Sequence, residues 1–302
     1  DGGSAVTGYT ISTEYPVGSG TWNVVGTTVA GTTTFTVPNL VNDAEYRIGV
    51  FASNNVGGGN MAMDTQWTRP NAPTQVGVGT VSGDTLLVSW AISGQTTSTF
   101  RVQQETPVGG GWVDLGTTIP YNQLCVGNAS GLCEYDAINL VSGSQYNYRI
   151  YNSNAGGESL VSNEANGWTL ADPPTLTLST FPATATTVTL SWTQPSGTIT
   201  QYNIERESPV GGGFQPLTTV LYGTNTYDDT GLALSTEYNY RIASENLGGI
   251  GMWSVEEDIT TLSAPSAPTG LTLTKGGNEA TKFIDLSWTA GATGGSPITN
   301  YY

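Results

Sequence analysis

Few residues in this chain are of a type that does chemistry. The 302 residues include no His, which removes Ser-His-Asp and Cys-His nucleophilic sites and most zinc sites. The two cysteines, Cys125 and Cys133, flank the seven residues Val126 to Leu132. A pair this close predicts a hairpin-like disulfide and an oxidising compartment. Redox activity would call for CxxC spacing, which is absent. Closing so short a loop is expected to contribute about 2–3 kcal/mol. Inside it, Asn128-Ala129-Ser130 is an N-glycosylation sequon, usable where the source glycosylates its surface proteins.

Carboxylates cluster at Glu134/Asp136, Asp228/Asp229 and Glu256-Glu257-Asp258. Such clusters offer calcium at domain junctions or loops. The plainer reading is solvated acidic loops, because no DxDxDG-type spacing appears. As catalytic acids they have no partner carboxylate in an evident cleft. No GxGxxG or GxxxxGK[ST] stands between a strand and a helix. No residue is therefore assigned a catalytic, cofactor-binding or metal-ligating role, and no cofactor is expected, calcium being the one ion with a candidate. Three aromatics, Trp22, Trp112 and Phe214, follow Gly-rich loops at equivalent positions. Exposed, they would stack on sugars or on a neighbouring subunit; otherwise they cover a sheet face.

Composition restricts the partners. The net charge is −16, from 8 basic and 24 acidic residues. Such a surface repels phosphate backbones, so no nucleic acid is expected. No apolar run reaches the length of a membrane span. Charged residues are only 11% of the chain, against 40 Gly and 15 Pro, a composition that suits strands and turns rather than helices. The chain opens without an initiator Met or a signal peptide, so it is expected to be processed, or a portion of something longer.

The elements that must position these residues are repeated. Tyr46 to Gly57, Tyr146 to Gly157 and Tyr238 to Gly249 share a Tyr, apolar or aromatic residues at +2 and +4, an Asn at +8 and a Gly at +11. Each follows a Leu six residues upstream: Leu40, Leu140 and Leu232. These anchors lie 100 and 92 residues apart, a period of β-sandwich size. Alternating strands precede them: Leu86 to Trp90, Val188 to Trp192 and Ile284 to Trp288. Their first, third and fifth residues face inward, and the closing Trp fills a core. Glycines after Pro16, Pro107 and Pro209 predict tight strand connections with positive φ. Trp67 and Trp168, on last strands, are expected to match Ile259. Arg47, Arg149 and Arg241 are expected to pair with carboxylates on their sheet face.

These residues resemble the fibronectin type III family. Trp90, Trp192 and Trp288 match its core Trp. The pairs Leu40/Tyr46, Leu140/Tyr146 and Leu232/Tyr238 match its tyrosine corner. The resemblance implies an all-β fold: tandem fibronectin type III-like (immunoglobulin-like) β-sandwiches forming an elongated rod. It implies no chemistry of its own. Proline-rich boundaries divide the chain into 1–70, a partial domain with strands C to G; 71–171 and 172–263, two whole domains; and 264–302, a partial domain with strands A, B and the start of C.

Gly2-Gly3-Ser4 recurs as Gly294-Gly295-Ser296, 292 residues on. The two halves together therefore amount to one domain. One period cut from a longer array gives this pattern; so does completion of one subunit's amino-terminal half by the carboxy-terminal strands of the next. The functional expectation is a non-catalytic structural protein of an extracellular filament, sheath or cell-surface stalk that associates with neighbouring copies or with its own continuation. A cell-surface adhesin or carbohydrate-binding array, recognising glycans or other surface proteins, is the alternative. So are spacer domains of a secreted enzyme.

Overall fold

The computed structural model describes residues 3–94, 99–125, 127, 132–180, 186–278 and 281–302. It divides into two units, residues 1–140 with 145–168, and residues 141–144 with 169–302. Apart from one helical turn, α1 (Tyr121–Leu124), every regular element described is a strand.

The first unit begins with a single antiparallel sheet. Its strands are β1 (Gly8–Glu14), β2 (Trp22–Val29), β3 (Glu45–Ser53) and β4 (Ala62–Trp67), in the order β2-β1-β3-β4. A closed sandwich follows. One sheet is formed by β5 (Thr74–Thr80), β6 (Leu86–Ala91) and β9 (Cys133–Ala137) in the order β5-β6-β9. The other contains β7 (Thr99–Glu105), β8 (Trp112–Pro120), β10 (Gln145–Asn154) and the short β11 (Gly157–Glu158), ordered β11-β10-β7-β8, with β12 (Ala165–Trp168) also on β10.

The second unit repeats the sandwich. Here β13 (Thr175–Thr180), β14 (Val188–Thr193) and β17 (Thr226–Asp229) form the smaller sheet. The larger holds β15 (Gln201–Glu207), β16 (Gln215–Leu221), β18 (Glu237–Asn246) and β19 (Gly249–Trp253), with β20 (Glu257–Thr260) paired to β18. The chain ends with a hairpin of β21 (Thr269–Asn278) and β22 (Thr281–Thr289).

Period-two alternation builds both cores. In β10, Tyr146, Tyr148 and Ile150 are buried; in β18, Tyr238, Tyr240 and Ile242. They meet Leu86, Val88 and Trp90 in the first sandwich and Val188, Leu190 and Trp192 in the second. Each core Trp meets one aromatic of the opposite sheet edge-on. Trp90–Phe100 centroids lie 5.2 Å apart, and Trp192–Tyr202 centroids 5.3 Å. Fully burying such side chains contributes roughly 1.5–3 kcal/mol each. The Leu-x5-Tyr pairs close as expected: the Val41 N–H donates to the Tyr46 hydroxyl at 3.0 Å, and Ala233 N–H to Tyr238 at 3.0 Å.

Trp67 and Trp168 correct one expectation. Trp67 lies opposite Glu45 and Trp168 opposite Gln145, whereas Ile259 lies opposite Tyr238. Ile259 therefore corresponds to Gly167, which lies opposite Tyr146. A one-residue shift in a strand moves a side chain to the other face. Both Trp residues thus sit on the outer side of their sheets. At buried Gly167 a Cβ would collide with Val78, so that inward position takes no side chain.

Trp288 departs from its counterparts as well. It is 42% exposed, and its hairpin neighbours Leu271, Leu273, Ile284 and Leu286 are at least half exposed. They have the alternation of a core strand, and among the described residues no second sheet packs on them.

Candidate functional site

The turns joining β1 to β2, β7 to β8 and β15 to β16 are built alike. Each opens on a cis X–Pro bond at Pro16, Pro107 or Pro209 and holds two glycines at positive φ, Gly18/Gly20, Gly109/Gly111 and Gly211/Gly213. A Glu at the end of the preceding strand ties the turn down. Glu14 accepts the Gly20 N–H at 2.6 Å, and Glu207 the Gly213 N–H at 2.9 Å. The second carboxylate oxygen crosses to the residue after the anchor Tyr: Arg47 for Glu14, Asn147 for Glu105, Asn239 for Glu207. The Gly213 N–H, helped by the Asn239 amide, holds the Glu207 carboxyl below the usual glutamate range.

Beside these turns the expected aromatics cover the outer sheet face and meet arginines. The Arg149 guanidinium lies 4.1 Å from the Trp112 ring, and Arg101 lies 3.9 Å from Tyr151. Arg241 lies 4.2 Å from Phe214 and 4.6 Å from Trp253. Trp22 has no such partner position, because Gly49 stands where Arg149 and Arg241 stand, and Trp22 with Met61 lies over that glycine. Arg47 sits two residues earlier, on Glu14. The pairing of Arg241 with Glu205 at 2.6 Å is as expected. Arg149 instead donates to Gln103 at 2.7 Å, with Glu164 at 3.9 Å. All three aromatics are half-buried. The face is a stacked, salt-bridged layer rather than a cleft.

Cys125 and Cys133 form a disulfide between the helical turn and β9. The sequon residue Asn128 lies outside the described residues. Asp228 and Asp229 do not act together. Asp228 faces solvent and accepts from the Thr189 hydroxyl at 2.7 Å. Asp229 is buried, with Arg206 and the Tyr240 hydroxyl each 2.8 Å from one oxygen. Glu134 and Asp136 lie on β9, opposite Ser89 and Leu87. Glu257 and Asp258 lie on β20. Among the described residues no three His, Cys, Asp or Glu are placed to hold a metal ion, and no helix is long and apolar enough to cross a membrane.

The most specific polar construction is one that the sequence did not disclose. Asn154, the +8 Asn of the anchor motif, is half-buried at the turn after β10. Its Oδ1 accepts the Gly156 N–H at 2.7 Å. Its amide donates to the Thr68 carbonyl and to Asp43, both at 2.9 Å. Thr68 follows β4, and its hydroxyl donates to Val41 O at 2.7 Å while accepting the Ala44 N–H at 3.0 Å. A Cβ on Gly156 would lie 2.5 Å from the Trp67 and Thr68 carbonyl oxygens. The glycine thus lets the turn close on Thr68, and the joint between β1–β4 and the adjoining sandwich is locked.

The second unit repeats these bonds around Asn246. Its amide donates to Thr169 O at 2.9 Å, and its Oδ1 accepts the Gly248 N–H at 2.8 Å. The Thr169 hydroxyl donates to Val141 O at 2.7 Å and accepts the Ser144 N–H at 3.0 Å. Thr261 makes the same two hydroxyl contacts, with Ala233 and Thr236. The sequence signal was present in the +8 Asn and in a Thr just before each proline linker, but nothing in the spacing joins the two.

Two apolar faces remain open. On the first sheet, Tyr9, Ile11, Ile48, Val50, Phe35 and Val37 line a cavity of about 290 Å³. At the hairpin, Leu271, Leu286 and Trp288 line one of about 620 Å³ with Ile298 and Tyr301.

Comparison with known proteins places the fold. Residues 172–260 match the fibronectin type III domain family. Over 258 residues the chain is 29% identical to exoglucanase B of Cellulomonas fimi, covering 78% of this chain and 21% of that protein. It thus spans about a fifth of the length of that curated relative. Among solved structures it is similar to the chicken CNTN1 FN1-FN3 domains, at 19% identity, 86% and 90% coverage and a TM-score of 0.35. It is also similar to a two-domain fibronectin type III segment of chicken tenascin, at 19% identity, 63% and 100% coverage and a TM-score of 0.40. Residues 172–260 thus match a fibronectin type III domain, and the strand pattern of that region recurs in the preceding sandwich.

Proposed function

We propose that this chain is a non-catalytic structural segment of an extracellular filament, sheath or surface stalk, whose work is to hold domains at fixed spacing. The observation that supports this most is the Asn154 joint. A half-buried amide makes two hydrogen bonds across it and accepts a third within its own turn, and leaving such a group unpaired costs about 1–3 kcal/mol. A joint of that kind resists bending, which serves transmission of load and maintenance of distance. The sequence, without His, supplies no nucleophile–base pair of the common kinds. The disulfide fits an extracellular setting.

Electron microscopy of the purified chain tests this reading. Strings of domains with a narrow distribution of inter-domain angles are expected. Asn154→Ala is expected to broaden the distribution at the first joint. Freely jointed domains in the unaltered chain would contradict the reading, and so would hydrolysis of a polysaccharide that persists through purification.

A second reading is favoured by the likeness to exoglucanase B. In it, the same domains space the modules of a secreted enzyme. The two readings share the stiff joint and differ in what lies beyond residues 1–302; the sequence of the intact gene product separates them.

A further inference from the structure

We propose that the Asp172–Pro173 bond is a self-cleavage site, cut in weak acid by the side-chain carboxyl of Asp172 acting on its own main-chain carbonyl. The proposal goes beyond the structural reading above. It concerns a covalent step in a linker and does not stand on the Asn154 joint.

The three linkers supply the comparison. Thr68, Thr169 and Thr261 each precede one, and the third residue after them is Asn71, Asp172 or Ala264. Asn71 is followed by Ala72, and Ala264 by Pro265. Only at Asp172 do a carboxyl and a following proline coincide, and no other Asp of the 302 residues precedes a proline. The coincidence matters chemically. A proline nitrogen belongs to a tertiary amide and carries no N–H, so it takes a proton and departs as a secondary amine more readily than an ordinary peptide nitrogen. The fold presents this bond to water. Asp172 and Pro173 lie outside any strand and are exposed, between Ala171 and Pro174, which are buried. Ala171 and Leu176 belong to the second core, so packed residues hold the exposed bond on either side.

The carboxyl is lightly held. The Ser142 hydroxyl donates to Asp172 Oδ2 at 2.7 Å, and among the described residues no ion pair opposes its protonation. In the step itself, one oxygen of the protonated carboxyl attacks the Asp172 carbonyl carbon through a five-membered ring. Attack within one residue has its entropy already spent. The C–N bond to Pro173 breaks as the carboxyl proton passes to the proline nitrogen. A cyclic anhydride is left at Asp172 and a free amine at Pro173. Water then opens the anhydride, so that one fragment ends in Asp172. One water is consumed, and nothing is oxidised or reduced. The Cys125–Cys133 disulfide lies wholly on one side of the cut and does not hold the fragments together.

Incubating the full chain at about pH 4 and at neutral pH, with its intact mass followed over days, tests this. Circular dichroism during the incubation reports that the sandwiches stay folded. In acid two fragments are expected, meeting at Asp172 and Pro173 and together heavier than the chain by one water. At neutral pH the chain is expected to stay whole. Asp172→Asn removes the attacking oxygen acid, and Asp172→Glu moves it by the length of one methylene. Each is expected to slow the cut at least about 100-fold, as loss or misplacement of an intramolecular attacking group does. An intact chain after the same time in acid would overturn the proposal. So would cleavage that appears only when the chain is unfolded in urea, because the bond would then be labile as a peptide and not as this linker. Equal cleavage in either variant would overturn it by removing the Asp172 carboxyl from the step.

Discussion

β3 and β18 carry the same anchor pattern and end differently. Along β18, Tyr238, Tyr240 and Ile242 are all buried. Along β3, Tyr46 is buried and Ile48 half-buried, and Val50 is 36% exposed. The same contrast separates Trp192 from Trp288. Alternation decides which face a side chain takes, but only a second sheet turns that face into a core. The β1–β4 sheet and the hairpin are therefore strands of the right pattern with one face uncovered among the described residues.

The largest way to break the comparison is to remove the Trp. Trp192→Ala is expected to destabilise the second sandwich by about 3–5 kcal/mol, seen as faster exchange of β14 and β18 amides by mass spectrometry. Trp288→Ala should change stability by no more than about 0.5 kcal/mol. Equal losses would mean that the hairpin has a hidden core.

Alkaline titration sharpens the same contrast. Burial pushes the Tyr148 and Tyr240 hydroxyls up, and the bond to Asp229 adds to it for Tyr240. A phenol raised in the folded state stabilises fully below its unfolded value of about 10 and loses that contribution as pH rises beyond it. Both sandwiches should therefore weaken above about pH 10. The β1–β4 sheet, with Ile48 at that position, should not show this dependence.

Smaller effects separate the two sandwiches from each other. Replacing Cys125 and Cys133 by Ser should cost the first about 2–3 kcal/mol and leave the second, which has no bridge, unchanged. Segment-resolved exchange reads this directly. Asn154→Ala should cost about 1–3 kcal/mol at its joint, with faster exchange near Thr68 and Asp43 while β6 and β7 stay protected. The weakest effect is acid. Glu207 is held low when folded, so its contribution is present above the unfolded value of about 4.3 and lost as pH falls through the lower folded value. Glu207→Gln should flatten the acid limb of the melting profile of the second sandwich below about pH 4.3.

How far the sequence discloses this structure can be seen residue by residue. The Leu-x5-Tyr pairs, the inward faces of β6 and β14 and the glycine turns were legible because they obey local periods and local φ requirements. Trp67 and Trp168 were misplaced by one residue, because a strand's register is set by its partner and not by its own composition. Gly49 in place of an arginine was visible, but not that Trp22 would settle over it. The Asn154 joint was illegible for a deeper reason. Its donor and its acceptor carbonyl stand 86 residues apart, and the acceptor is backbone, which leaves no mark in the sequence. The four-residue helical turn before Cys125 likewise has no helical period to announce it.

The most direct test of the account is hydrogen exchange along the three anchor strands. Amides of Ile150 and Ile242 should exchange only through global unfolding of their sandwiches. Amides of Ile48 and Val50 should exchange orders of magnitude faster, through local opening of a sheet covered on one face only. Equal protection of all three strands would contradict the claim that only a second sheet turns this alternation into a core.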